Sequence, residues 1–496
     1  MIKRYYANKD NTITNAFKEN LLTRGTGSNM GASDVLEVFS IYGQATSSSA
    51  ELSRILIEFD TSIISTDRSA GTIPASGSVT WFLNLYNAEH SQTVPRDYNL
   101  IVSAVSSSWE EGYGLDMEMY SDLSRDYLGS NWIKRSGSTS WTTAGGDYHA
   151  SPTVSQTFTT GLENLKIDVS DIVEQWLTGS KSNNGFGVKL EGSYEAYHSS
   201  STGQNSGSLL HNVNGATRSF FTKKFFGRDS EFWFKRPTLE ARWNDIRRDD
   251  RGSFYLSSSL ASGTENLNTL FLYNYVRGRL RNIPSIGTGN IMVSLFSGSS
   301  TTPTGSALNL VADGTHVRTA HTLVVTGGYV STGIYSASVA FTGSSSLTKI
   351  YDVWFSGSNS ASNAAAASKQ FFTGTIAPKT LIGSQTTSHN NYILSMPNLK
   401  DQYRYGETPV LRLYVREKNW SPNIHTVAVR TSIPSVLIES SSYQLKRTID
   451  DEIVIPYGTG STYHTGLSYD VTGNYFKLDT TMLEQGYQYE IYYAFY

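Results

Sequence analysis

The chain has 496 residues, 17% of them charged, with 40 basic and 43 acidic side chains and a formal net charge of -3. That balance speaks against wholesale nucleic-acid binding, which draws on a basic excess. There is no cysteine, so disulfides and thiolate metal sites are excluded. Ser, Thr, Gly, Tyr and Asn abound, as in exposed β-structure with many turns and unlike a helical enzyme. The length accommodates about two to four domains.

The first six residues lead straight into a strand, with no apolar signal core ahead of it. No run approaches the roughly 18 apolar residues of a membrane helix, so no membrane insertion is expected. Residues 1–245 read as a first domain. Ala7-Asn8-Lys9-Asp10-Asn11-Thr12-Ile13 is its opening strand, and Ser53-Arg54-Ile55-Leu56-Ile57-Glu58-Phe59 alternates with period two. Val79-Thr80-Trp81-Phe82-Leu83-Asn84-Leu85 is a further strand. An aromatic and acidic stretch follows: Trp109-Glu110-Glu111-Gly112-Tyr113-Gly114, Asn131-Trp132, Trp141 and Gly145-Gly146-Asp147.

The clearest helix signal of the N-terminal half comes next. Ile172, Val173, Trp176 and Leu177 share one helical face. Ser170 or Asp171 can cap, Asp171 with Glu174 approximates a capping box, and Gly179 suits a left-handed stop. This helix is expected to plug the end of a β-sandwich, with Trp176 buried and Asp168 bonding backbone groups at the strand-to-helix corner. Residues 194–215, rich in Ser, Gly, Asn and His, read as a long exposed loop. Phe220-Phe221-Thr222-Lys223-Lys224-Phe225-Phe226 and Phe232-Trp233-Phe234 crowd aromatic rings, as core or as an inter-subunit patch. Pro237-Thr238-Leu239-Glu240-Ala241-Arg242-Trp243 closes the domain.

As an ordered set, these opening, central and closing strands with the helix between them resemble a DNRLRE-type domain. That domain is a jelly-roll β-sandwich found in cell-surface proteins, carbohydrate-binding modules and phage virion proteins. The resemblance covers about the first half of the chain. It implies a fold more than a function, because one fold hosts many functions.

Residues 246–282 read as a junction. Together with its flank it holds Arg242, Arg247, Arg248, Arg251, Arg277, Arg279 and Arg281, partly offset by Asp245, Asp249 and Asp250. These are either linker ion pairs, each worth about 0–1 kcal/mol, or a docking surface for neighbouring subunits. Residues 283–385 form a second β-domain, with strands at 291–296, 335–341, 349–355 and 371–376. Short strands at that spacing point to an immunoglobulin-like sandwich, with Trp354 as its buried tryptophan. Residues 386–496 form a third domain, also immunoglobulin-like. Leu411-Arg412-Leu413-Tyr414-Val415-Arg416 alternates cleanly, and an aromatic terminal strand includes Tyr487, Tyr489 and Tyr496. The stretches 416–422 and Leu467-Ser468-Tyr469-Asp470 resemble C-terminal domains of tailed-phage structural proteins. The expected architecture is therefore all-β: a jelly-roll sandwich followed by two smaller immunoglobulin-like sandwiches.

Catalytic and metal motifs are scarce. The nine histidines are dispersed without an HExxH pair, and His316 and His321, five apart, read as solvent-facing. No nucleophile elbow or phosphate loop occurs in a strand-turn-helix setting. No twelve-residue calcium loop occurs, and no cofactor is expected. Glu110, Glu111, Asp116, Glu118 and Asp122 lie near Trp109, Tyr113, Trp132 and Trp141. Carboxyl pairs beside aromatic platforms serve glycoside hydrolysis, and the same set could form a glycan-binding rim or a solvated loop. The expectation is a non-enzymatic structural component of a tailed-phage virion, made in the host cytoplasm and released by lysis. Its partners would be copies of itself, other virion proteins and a host surface glycan. A carbohydrate-binding adhesin and a polysaccharide depolymerase are the alternatives.

Overall fold

The computed structural model describes residues 1–18, 20–42, 50–89, 94–115, 129–195, 197–198, 209–210, 220–298, 303–311, 322–341, 347–358, 360–381, 391–421, 435–458 and 463–496. The chain is all-β, with 42% of its residues in strands and 9% in helices.

The first unit contains β1 (Ile2–Tyr6), β2 (Lys9–Thr14), β3 (Val35–Tyr42), β4 (Ala50–Glu58), β5 (Thr80–Leu85), β6 (Tyr98–Val105), β7 (Tyr148–Phe158), β8 (Leu165–Asp168), β9 (Phe186–Leu190), β10 (Tyr197–His198), β11 (Leu209–Leu210), β12 (Phe220–Phe226) and β13 (Thr238–Arg242). One sheet runs β1-β13-β5-β8, the other β12-β3-β4-β9-β6-β7 with β2 also on β4; β10 and β11 form a separate ladder. Side chains alternate across a strand, so each sheet turns every second residue toward the other. Trp81, Leu83 and Leu85 of the first sheet share a core with Ile55, Ile57, Leu100 and Val102 of the second.

Two helices close one end of this sandwich: α1 (Thr61–Ser69) and α2 (Ser170–Leu177). On α2 the residues Ile172, Val173 and Trp176 are buried, and the Trp176 ring lies 4.6 Å from Phe186. Gly179 adopts the left-handed φ of +75° expected at the helix stop. The expected capping box does not form: the helix starts after Val169, without a side-chain cap. Glu174 is engaged elsewhere, taking two bonds from Arg68 at 2.9 and 2.6 Å and one from the Trp81 indole at 3.0 Å. A charge-assisted bidentate pair outweighs a single backbone bond. Asp168 holds the corner as expected, accepting from the Ser170 amide and hydroxyl. Helix α1 was not expected; its one buried residue is Ile64, and an apolar stripe that narrow carries no periodic signal.

The second unit holds β14 (Asn268–Tyr273), β15 (Tyr275–Val276), β16 (Arg279–Leu280), β17 (Ile291–Ser297), β18 (Leu310–Val311), β19 (Val325–Ser331), β20 (Ile334–Phe341), β21 (Ile350–Phe355), the short helix α3 (Ala361–Ala365) and β22 (Gln370–Ile376). Its main sheet runs β14-β20-β19-β17-β21-β22. The first half of β19 pairs with β17 and its second half with β20. The sheet thereby folds over a core of Phe254, Leu270, Leu272, Val293, Leu295, Tyr335 and Trp354. The boundary expected at 283 moves accordingly. Phe254, Leu256 and β14 belong to the second core, so most of the 246–282 segment is domain and not linker.

The third unit is built from β23 (Tyr392–Ser395), β24 (Val410–Glu417), β25 (Ser441–Arg447), β26 (Ile453–Ile455), β27 (Ser468–Asp470), β28 (Gly473–Lys477) and β29 (Tyr489–Phe495). Sheets β23-β24-β28-β27 and β26-β25-β29 enclose Leu411, Leu413, Tyr443, Leu445 and Phe476. Ile2 and Phe234 of the first unit sit in this same core, so the third unit is packed against the first.

Replacing Trp176 by Ala removes the largest side chain of the helical plug and leaves a cavity. We expect a loss of about 3–5 kcal/mol, measured as an earlier transition of the first unit in denaturant unfolding.

Candidate functional site

The three tryptophans of the expected glycan rim are interior. Trp109, Trp132 and Trp141 are buried, in a second small core with Ile13, Leu52, Leu56 and Val105 on the outer face of the larger sheet. Their polar edges are committed: the Trp109 indole donates to Asn184 O at 2.8 Å and that of Trp141 to Asn131 O at 2.8 Å. The Arg54 guanidinium lies 5.2 Å from the Trp132 ring, donates to Gly145 O at 2.9 Å and pairs with Glu195 at 3.2 Å. These three rings therefore offer no open face for a sugar to stack on. Of the expected rim, Tyr113 is exposed, at 79%, and Glu110 is exposed with Oε2 accepting from Gly137 N. Asp116, Glu118 and Asp122, His316 and His321, and most of 194–215 lie outside the described residues.

Glu111 is a structural acid. Its Oε1 accepts from Asp10 N at 2.9 Å and from Arg228 Nε at 3.1 Å. Asp10 lies beside it, 1% exposed, with Oδ2 accepting from Arg228 N and Oδ1 buried without a partner. Burial, reinforced by the Glu111 charge, pushes the Asp10 carboxyl up to about 7 against the pull of Arg228. Asn11 and Asn29 stitch the covering loops to the sheet. Asn11 donates to Ser130, and Asn29 bridges Glu111 O, Ser130 O and the amides of Gly31 and Gly114. Gly114 cannot be replaced there, because a Cβ would meet Asn29 O at 1.8 Å. Asn29 had no sequence signal, since its partners are distant in the chain.

The arginines divide into two groups. Arg242 is buried and shares Glu240 with Arg4, whose Nε is 2.8 Å from Oε2. Burial alone would raise the Glu240 carboxyl, but the two guanidiniums outweigh it and hold it below the usual range. Arg4 also reaches Val454 O in the third unit at 2.5 Å. Arg251 makes two bonds to Asp352, at 2.5 and 2.6 Å, and Asp352 also accepts from the Trp354 indole. Arg247 is half-buried between Ser468 and Ser331, and Arg248 is exposed. Asp250 accepts from Tyr469 Oη at 2.7 Å and from Thr269 N at 2.6 Å. The expected docking surface from 242 to 251 is thus largely an internal joint among the three units.

Arg277, Arg279 and Arg281 are exposed on or beside the β15–β16 hairpin. Arg277 and Gly278 at its tip have φ of +51° and +77°, the left-handed pair that a tight hairpin requires. No ion pair to these three arginines occurs among the described residues, and Tyr275 beside them is 62% exposed. At the C-terminus Tyr496 is 76% exposed, and Tyr487 lies under the Arg447 guanidinium at 4.7 Å. Tyr489 is half-buried and donates to Glu484 O at 2.9 Å. Among the described residues β29 pairs with β25 alone, which leaves its outer edge open there. Among the described residues no three His, Asp or Glu side chains are grouped to hold a metal, and no helix is long and apolar enough to cross a membrane.

The chain matches no family model and no curated protein sequence.

Two pH effects follow. Asp10 binds its proton more tightly folded than unfolded, so stability falls as pH rises from about 4 toward 7. Asp10→Asn should flatten that fall in thermal unfolding scans across the window. His464 is 2% exposed, with neither ring nitrogen partnered among the described residues. Burial, with Arg242 adding to it, pushes its imidazole down to about 3. The unfolded chain takes up this proton first, so stability is complete above about pH 6.5 and declines as pH falls toward 3. His464→Leu should make that acid decline shallower.

Proposed function

We propose that the protein is a structural component of a tailed-phage virion, in the tail, baseplate, neck or head exterior, acting by assembly with copies of itself or other virion proteins. The observation that carries this proposal is the contrast between a locked interior and two open polar-aromatic patches. The first and third units share a core and hydrogen bonds cross between the units, whereas the 275–281 hairpin and the β29 edge remain unpartnered among the described residues. The hairpin presents three arginines with Tyr275. The β29 edge presents Glu490 with Tyr492 and Tyr496, and Glu490 has no ion-pair partner among the described residues. Arginine and tyrosine are enriched where proteins meet; the hairpin is basic, whereas on the β29 patch Glu490 stands opposite Lys446 of β25. The resemblances in the first half and the late segments add the phage context. A glycan-binding role loses its expected aromatic platform, because the three tryptophans are buried.

The test is reversal of the hairpin charge. Arg277→Glu with Arg279→Glu should leave the monomer's melting unchanged, since neither residue is ion-paired among the described residues, and should reduce incorporation into particles at least tenfold by quantitative mass spectrometry, a factor worth about 1.4 kcal/mol. Unchanged incorporation, or a particle map with both patches facing bulk solvent, would remove the proposal.

A further inference from the structure

β12 turns a lysine into the sandwich. Lys223 shares its inward face with Phe225 and is 0% exposed. Its Nζ lies 5.1 and 5.2 Å from the ring centres of Phe158 and Phe225. A buried ammonium ordinarily requires a carboxylate. Among the described residues the buried guanidiniums of Arg4 and Arg242 share Glu240, whereas Lys223 has no carboxylate within ion-pair distance. Nζ instead donates to the Asn87 side-chain oxygen at 2.5 Å and to Gly161 O at 2.8 Å.

The turn from 159 to 164 encloses this pair. Gly161 O meets the lysine, and Asn164 Oδ1 accepts from Asn87 N at 2.8 Å. Glu163 stands between those two residues and acts electrostatically on Lys223. Its Oε1 is held by Thr159 and Thr160, while its Oε2 is buried without a partner. The Tyr98 ring stacks on Phe158 and completes an aromatic wall. The Lys223 amine and the Asn87 carboxamide thus meet beside an aromatic wall, with the half-exposed Glu163 carboxylate in the adjoining turn. Asn87 follows β5 of the four-stranded sheet and makes an isolated β-bridge to Phe225 of β12, so the pair sits where the two sheets meet.

We propose that Lys223 and Asn87 join in an isopeptide bond that staples the two sheets. The neutral Lys223 amine attacks Asn87 Cγ, and the Nζ–Cγ bond forms. Attack makes that nitrogen cationic and acidic, so its proton passes to Glu163 Oε2 and from there to the Asn87 amide nitrogen. The Cγ–Nδ2 bond then breaks and ammonia leaves. Two protons depart with Nδ2 and the third comes from the lysine, so no oxidant or other reactant is consumed. Burial supports the step by lowering the Lys223 amine to about 8, which raises the neutral fraction available at neutral pH. The product is a neutral amide, and the cost of a buried cation disappears.

The experiment is intact-mass spectrometry of the folded full-length chain, followed by tandem sequencing of its tryptic peptides. The expected result is a mass lower than the sequence mass by one ammonia, about 17 Da, with the Asn87 and Lys223 peptides recovered as one branched species. Lys223→Met, which keeps the volume and removes the nucleophile, and Glu163→Gln should both fold, as judged by circular dichroism, and retain the full mass. A folded wild-type chain at full sequence mass, or the same ammonia loss in Lys223→Met, would overturn the proposal.

Discussion

The arrangement of the three units depends on the short run from Glu240 to Arg251, where charge is buried and answered within the chain. Glu240 is shared by Arg4 and Arg242, Arg251 grips Asp352, and Asp250 bridges Tyr469 and Thr269. Backbone bonds between Arg247, Asp249 and Tyr469 run alongside. Buried ion pairs contribute modestly to net stability, but breaking one leaves an uncompensated charge that costs about 3–5 kcal/mol. These pairs lie inside the first and second units, whereas the ties between units are hydrogen bonds: Arg4 to Val454 O, Arg247 to Ser468 and Ser331, and Tyr469 to Asp250. A rotation of one unit against another would break these bonds. The apolar contribution of Ile2 and Phe234 to the third core works in the same direction.

The strand pattern was legible because one-face burial writes period two into the sequence, and residues 53–59 and 411–416 show it plainly. The helix α2 was legible for the same reason, at period 3.6. The tryptophans were misplaced because a Trp among Glu, Gly and Asn looks like an exposed platform. The contrary signal was present in β4. Its run Ile55-Leu56-Ile57 is apolar on both faces, which marks a strand covered on both sides. Ile55 and Ile57 face the sandwich core, while Leu56 faces Trp109, Trp132 and Trp141.

What stayed illegible is what depends on distant pairing. Arg251 and Asp352 are a hundred residues apart, as are Asn29 and Ser130, and no local pattern joins them. The arginine run looked uniform in sequence, yet neighbouring partners made Arg242 interior and left Arg279 exposed. Lys223 is a case between the two. Its alternation with Phe225 placed it on an inward face, but its neighbours Asn87 and Glu163 come from segments that only the closed sandwich brings together.

An open strand edge is a hazard that proteins manage with charge and short length. β29 keeps its outer edge and carries Glu490 on its exposed face, where Tyr492 Oη donates to it at 2.6 Å. That charge discourages pairing with a second β29, because two such edges would bring like charges together. It does not discourage approach by a basic surface, and the 275–281 hairpin is one. The two patches are different surfaces of one body, so a contact between them joins unlike faces of successive copies. Contacts of that kind are heterologous, and they close into rings or continue as filaments according to the rotation between copies. In a loosely jointed chain the rotation would vary. Here the core shared by the first and third units and the bonds that cross from Arg4, Arg247 and Asp250 hold the units against one another, so the angle offered to a neighbour in the proposed assembly would be constant.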